Sequence, residues 1–288
     1  MLSYLGIVFM RLLALLPLAW VRGLGWAVGV LLFRVVRSRR RIAEVNLTLC
    51  FPEKSQAERR ALTRLVFICF VQAWLDRGWL WHGRPEVTRQ RLRMTGDLAQ
   101  LAGDDPVVLF APHFVGLDAG ATALSQQVPR RYTTLYAKQS NQIVDEWVKR
   151  GRLRFGEVRL FGRFSEMKPI VASLRAGEVL YLLPDMDFGA KDAFFVPFYG
   201  VNAATIPSLP RFARLGRAKV VPVLTRMTPE GYDVEILPAW TDYPTQDVVA
   251  DTALMNQRLQ SYIDTMPEQY FWVHKRFKTR PAGEAEVY

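Results

Sequence analysis

Apolar residues run almost unbroken from position 2 to position 33, and only Arg11 and Arg22 interrupt them. Eleven residues at about 100° each make roughly three turns, so one continuous helix would carry both arginines on one face, with Arg34 close to the same stripe. Beyond residue 42 the pattern changes to alternating blocks. Leu62, Leu65, Val66, Cys69 and Trp74 have helical core spacing and predict a helix over 57–80. The apolar run 106–113, entered from the turn GDD, reads as a buried strand, and 116–127 as the helix after it. Further strands are predicted at 132–137, 157–161 and 179–185, with helices at 141–151, closed by Gly151, and at 166–176. Residues 203–217 read as a helix, 219–226 and 232–238 as strands joined by the turn PEG, and 247–265 as a last amphipathic helix. Strand and helix alternating in this way predict an α/β fold, a central and mostly parallel sheet flanked by helices, with an antiparallel pair near the end.

The chain has 288 residues, 50% hydrophobic and 23% charged, enough for one large domain or two small ones with a sizeable core. That apolar content, without a Gly or Pro period, excludes disordered and collagenous classes. Two cysteines, Cys50 and Cys69, cannot build a disulfide scaffold.

The net charge of +11 is concentrated at the start. Residues 1–43 hold Arg11, Arg22, Arg34, Arg37, Arg39, Arg40 and Arg41 and no acid, and a basic surplus beside apolar sequence points to anionic membrane lipids in preference to nucleic acid. Two readings of the N-terminal membrane helix stay open: a transmembrane helix of about 20 residues, or an amphipathic anchor lying in the interface. A cleavable signal peptide fits badly, because the dense basic run follows the apolar stretch. That run favours retention on the cytoplasmic side, so a membrane anchor at 1–41 and a cytosolic body at 42–288 are expected. Gly25 and Gly29 form a GxxxG, a weak signal for helix packing.

The chain has no GxSxG elbow, no Walker loop and no HExxH, and neither cysteine has metal-ligand spacing, so no metal is expected. What remains is His113 with Asp118 in APHFVGLD. On one helix, five positions would put them about 140° apart. They can meet only if His113 stands on the loop leaving the strand and Asp118 in the first turns of the next helix. A carboxylate on one imidazole nitrogen fixes the tautomer and leaves the other as a base for an acceptor hydroxyl. The alternative is a histidine that merely caps the helix.

APHFVGLD resembles the HxxxxD/E block of the bacterial lipid A late acyltransferases, the lauroyl/myristoyl acyltransferase family. LYAKQSN followed by RGRLRFG resembles that family's second block, GEVLYLLPDMDFG with FVPFYG its third, and EQYFWVHKRFKTRP its C-terminal signature. The N-terminal apolar helix followed by arginines is similar too, so the resemblance covers essentially the whole chain in order. It departs at Asp118, where many members have Glu, and either acid can orient an imidazole.

The resemblance implies a glycerolipid acyltransferase-like fold at the bacterial inner membrane, with the catalytic domain on the cytoplasmic side. It implies an acyl-carrier-protein-dependent O-acyltransferase without cofactor, acylating a Kdo-containing lipid A precursor, with His113 as general base and Asp118 as its orienter. Arg152 and Arg154 are candidates for the thioester oxyanion or a lipid phosphate, or else helix caps. Asp185 and Asp187 can orient an arginine or help close the site, or form an Asx turn before Gly189. His274, Lys275, Arg276 and Lys278, in a basic tail, are expected on the surface, facing the acidic glycolipid or the carrier protein. The alternatives are a glycerophospholipid acyltransferase with the same dyad and a non-catalytic basic membrane scaffold.

Overall fold

Pro17 divides the apolar N-terminal stretch, so the single helix expected over 2–33 is two helices. In the computed structural model, which describes residues 2–162 and 165–288, α1 (Leu2–Leu13) is followed by a turn and α2 (Leu18–Val35). The restart follows from proline's fixed φ, which suits a helix start, and from its missing N–H, which would break an interior ladder. Only α2 among the described helices is long and apolar enough to cross a membrane. The arginine run opens α3 (Arg37–Cys50), and Ser55 with Glu58 forms a reciprocal capping box that starts the long α4 (Gln56–His82).

The alternation that follows is α5 (Pro85–Arg91), β1 (Leu92–Gly96), β2 (Val107–Phe110), α6 (Leu117–Gln127), β3 (Arg131–Tyr136), α7 (Gln142–Arg152), β4 (Glu157–Gly162), α8 (Met167–Arg175) and β5 (Val179–Leu182). Then come β6 (Phe194–Phe198), β7 (Val201–Thr205), α9 (Ser208–Gly216), β8 (Lys219–Thr228), β9 (Gly231–Ile236) and α10 (Val248–Asp264). A seven-stranded sheet has the order β1-β9-β8-β2-β5-β3-β4. Its pairings are parallel except for β8 with β9. This is the mostly parallel α/β sheet with a late antiparallel pair that the periodicity predicts.

Strand alternation builds a core on each face. Val108, Phe110, Leu180 and Leu182 face one side, packed with Leu174, Phe212 and Leu259 of α8, α9 and α10. Val107, Leu109, Val179 and Tyr181 face the other, packed with Ala123, Val148 and Trp79 of α6, α7 and α4. Covered on both faces, β2 and β5 read as continuous apolar runs.

Two expectations change. The helix expected at 203–217 is β7 followed by α9: Phe198 pairs with Val201 across a tight Tyr199-Gly200 turn with both residues at positive φ, and Pro207 precedes the helix. Gly151 does not close its helix, which continues to Arg152. Gly151 is needed for space, since a Cβ there would fall 2.2 Å from the Trp81 ring.

Gly25 and Gly29 bring α2 against α4. A Cβ on Gly29 would stand 2.6 Å from Ile68 Cα, and one on Gly25 would stand 2.7 Å from Gln72 Cγ. Beside them Arg22 pairs with the buried Asp76 of α4 at 2.9 Å, and Asp76 also accepts from Tyr232 Oη at 2.6 Å and Trp79 Nε1 at 2.9 Å. Overpacking a close helix contact costs about 1–3 kcal/mol. Gly29→Ala should therefore lower unfolding stability by about that amount in detergent-solubilised protein. Gly23→Ala, with nothing within 4 Å of its added methyl, should instead raise stability by about 0.5–1 kcal/mol through helix propensity. Paired denaturation curves check both signs.

Candidate active site

His113 stands on the loop between β2 and α6, at the carboxyl end of a central strand, where α/β sheets place their sites. Asp118 lies in the first turn of α6. The placement is the expected one; the partnership is not. His113 Nδ1 is 2.7 Å from Asp185 Oδ1, and the His113 backbone N–H donates to Asp185 Oδ2 at 2.9 Å. A carboxylate only accepts, so Nδ1 carries the proton and Nε2 is left as the basic nitrogen. Asp185 follows β5, hydrogen-bonded to β2 in register, so adjacent strand ends deliver the two groups to one point. Tyr270 Oη donates to Asp185 Oδ2 at 3.0 Å, and the Phe271 ring stacks on His113 with centroids 6.4 Å apart. Burial alone would raise the Asp185 carboxyl. The His113 imidazole beside it and the hydrogen bonds from His113 and Tyr270 instead hold it below its ordinary value.

Asp118, expected to orient the imidazole, is turned to two arginines. It accepts from Arg77 Nε at 2.8 Å and from Arg152 Nε at 2.9 Å. Burial would raise its pKa, but the Arg152 and Arg77 charges outweigh that and lower it. The correction has a plain cause: a buried carboxylate is worth most to the fold where cations can neutralise it, and helix α6 aims Asp118 at α4 and α7. Two guanidinium groups on one carboxylate leave a net positive charge, and spare N–H donors on both forks.

These groups share one cavity of about 790 Å³, whose wall includes His113, Arg77, Asp118 and Arg152 and is otherwise mainly apolar, with Leu117, Leu135 and Phe212 among its side chains. The volume is within the range of ligand pockets.

A family model described as bacterial lipid A biosynthesis acyltransferase matches residues 1–279. The chain is 33% identical to the lipid A biosynthesis lauroyltransferase of Escherichia coli K12, an alignment covering 100% of this chain and 94% of that protein. It is 32% identical to a lipid A biosynthesis acyltransferase of Haemophilus influenzae, over 98% of this chain and 89% of the relative. It is 30% identical to the Escherichia coli lipid A biosynthesis myristoyltransferase, over 99% and 90%. The chain belongs to the bacterial lipid A biosynthesis acyltransferase family.

In this acyltransferase the other expected site residues separate. Arg152 faces the cavity. Arg154 does not: it donates to the Leu80 carbonyl at 2.7 Å and to the Gly83 carbonyl, satisfying the last turn of α4. The helix-capping alternative therefore holds for Arg154, on a different helix from the one expected. Asp187 makes the Asx turn, accepting from the Gly189 N–H at 2.9 Å, and its carboxylate also takes the Thr279 N–H and hydroxyl. The basic tail is not an exposed docking strip. Arg276 is buried on the carbonyl of Ala204 and the hydroxyl of Thr205, both at 2.8 Å. His274 Nε2 accepts the Asp187 N–H at 3.0 Å, and burial, with the Arg276 charge next, pushes the ring down to about 4, so it is neutral. Lys275 lies 5.3 Å from the Tyr288 ring, and only Lys278 of the four is exposed. The tail folds back because 270–279 carries the groups that complete the His113 and Asp187 environments.

Arg77 and Tyr270 were not anticipated. Arg77 had a signal: a charged residue in the apolar, aromatic run WLDRGWLW needs a buried partner. Tyr270 had none beyond its position in the C-terminal block.

Two outcomes follow. Arg154→Ala should lower stability while leaving turnover per folded enzyme near wild type, whereas Arg152→Ala should lower kcat/KM about 10²-fold or more, the scale of one positioned donor. Steady-state kinetics with folding checked by circular dichroism separates them. Asp118 and Asp185 have folded pKa values below their unfolded ones, so their stabilisation is present above about pH 4 and is lost as pH falls through the folded values. Chemical unfolding at pH 3 to 6 should show this decline, with a shallower slope in Asp118→Asn.

Proposed function

We propose that this acyltransferase moves a fatty acyl group from acyl carrier protein to a hydroxyl of an acylated Kdo-lipid A precursor, with His113 as general base. The observation that supports it most is His113, in the wall of an acyl-sized, mainly apolar cavity, held from behind by the buried Asp185. The acyl chain lies among the apolar side chains, with its thioester toward His113. Nε2 takes the proton of the acceptor hydroxyl as its oxygen attacks the thioester carbonyl carbon. Asp185 holds the ring in the productive tautomer, as a buried carboxylate does in hydrolase triads. The tetrahedral oxyanion meets the spare N–H donors of Arg77 and Arg152. Collapse breaks the C–S bond, the imidazolium returns its proton to the leaving thiolate, and an ester and a free carrier thiol result. Lys191 and Arg211, also in the cavity wall, supply charge for a phosphate of either substrate. Work at the inner membrane, from the cytoplasmic side, is where such a precursor and carrier meet.

On this reading Asp118 acts through the arginines and Asp185 through the histidine. His113→Ala should cost about 10²–10⁴ in kcat with donor affinity kept. Asp185→Asn should lower kcat and alter the pH–rate profile, because the asparagine amide no longer enforces the Nδ1–H tautomer. Asp118→Asn should lower kcat/KM without altering the shape of that profile. Transfer from lauroyl-carrier protein to a Kdo-lipid A precursor, followed by mass spectrometry of the product, is the assay. Near-wild-type turnover of a folded His113→Ala enzyme would refute the mechanism, and transfer to lysophosphatidate in preference would replace the acceptor.

A further inference from the structure

We infer that α1 and α2 do not cross a bilayer: they lie along the surface of one anionic leaflet, on the same side as the catalytic body. The first ground is how they are fastened. At the start of α1, Asn141 Nδ2, at the N-cap of α7, donates to Ser3 Oγ at 3.0 Å. Near its end, Met10 and Leu13 are buried, and Gly78 of α4 packs so close that a Cβ would fall 2.7 Å from the Met10 carbonyl. Helix α2 runs antiparallel to α4 along most of its length. Arg22 meets Asp76 and donates to the Gly231 carbonyl at 3.3 Å, and Gln72 donates to the Arg22 carbonyl at 3.0 Å. Gly25 faces Gln72, Gly29 faces Ile68, and the Phe33 ring stands 5.9 Å from that of Phe67. The same α4 holds Tyr232 through Asp76 and Asp118 through Arg77. If α2 crossed a membrane in this packing, α4 and its buried charges would have to enter the hydrocarbon with it, and such charges are costly there.

The second ground is what the helices leave uncovered. Leu5, Phe9 and Leu12 of α1 and Trp20, Trp26 and Leu31 of α2 are exposed, Trp20 at 68%. A surface of that kind is unusual unless something covers it. The charge beside it names the occupant. Arg11, Arg34, Arg37 and Arg41 are exposed, and residues 1–43 contain no acid. An apolar face with tryptophans, flanked by these arginines, matches an anionic phospholipid surface; Glu146, in the adjoining groove, is paired with Arg150. The exposed apolar surface also leads to the site: Trp147, which lines a groove with Tyr4 and Val8 of α1, lies 6.5 Å from Trp74 of α4. One turn earlier on α4, exposed Phe70 lies 5.7 Å from Phe271, whose ring stacks on His113. This seating does not depend on the acyl-transfer reading, and its test involves no turnover.

The test is the depth of nitroxide labels at F9C, W20C, W26C and L31C, each in a full-length Cys50→Ser, Cys69→Ser chain. The probe is vesicles of phosphatidylethanolamine and phosphatidylglycerol, read by power saturation with oxygen and a water-soluble nickel chelate. Four similar shallow depths, about 5–10 Å below the headgroups, are expected. A profile that deepens to the bilayer centre, about 15 Å in, and rises again along α2 would overturn the inference. So would labels that touch no lipid and broaden one another between chains, the mark of a second copy on this face. Binding should be about tenfold or more weaker on phosphatidylcholine alone, and equal binding there would overturn the anionic preference. In the unsubstituted chain, bromine high on the acyl chains should quench tryptophan fluorescence more than bromine near their ends. The reverse order would count against the seating even if the cysteine-free chain folds poorly.

Discussion

A carboxylate removed from water destabilises a fold by several kcal/mol unless cations or hydrogen-bond donors meet it. Among the buried carboxylates, Asp76, Asp118 and Asp185 are each met by donors from distant parts of the chain. Asp76 gathers Arg22, Trp79 and Tyr232, tying α2 and strand β9 to α4. Asp118 gathers Arg77 and Arg152, fixing the mutual positions of α4, α6 and α7. Asp185 gathers His113 and Tyr270, joining two central strands to the C-terminal segment. None of these sets can be satisfied by local structure, so each is satisfied only when the whole α/β arrangement has formed.

Helix α4 links the first two sets because Asp76 and Arg77 are neighbours in sequence. Consecutive helical residues point about 100° apart. One therefore turns toward α2 and the other toward the cavity. The helix that anchors the apolar face thus also supplies one of the two arginines at the site. The tail completes the third set from the other direction. The Phe271 N–H donates to the His113 carbonyl at 3.1 Å, and the Val115 N–H to the Gln269 carbonyl at 2.8 Å, so a short antiparallel contact grips the loop on both sides of His113.

The sheet was legible because strands buried on both faces are short apolar runs bounded by turns, as at 106–113 and 179–185. The position of His113 was legible for the same reason, since it follows one of those runs. The position of its partner was not. A spacing of five residues is visible along the chain, whereas the approach of Asp185, 72 positions away, comes from β2 and β5 being neighbours, and strand order leaves no local mark. The helix expected at 203–217 failed for a related reason: the alternation in β7 is only five residues long, and its pairing with β6 overrides local propensity. The basic tail misled because charge was counted without asking which side chains the fold would need inside. Arg276 and His274 close gaps in the interior, and only Lys278 keeps its charge fully at the surface.

The arrangement divides the two acids of the site by environment. Asp185 faces an imidazole in the cavity wall, the group that takes up and returns a proton on the proposed mechanism. Asp118 faces groups that do not, since guanidinium keeps its proton at any ordinary pH. A carboxylate between two permanent cations cannot relay a proton at neutral pH without stranding both, so its contribution is geometric: it holds two forks rigid and prepaid in orientation at one end of an apolar cavity. A carboxylate on an imidazole instead accompanies each protonation change of the ring. On the proposed mechanism, general base and oxyanion donors are thereby held by separate acids, Asp185 on the loop after β5 and Asp118 in the first turn of α6. Their placement follows from the sheet, which brings His113 and Asp185 together, and from α4, α6 and α7, which carry Arg77, Asp118 and Arg152.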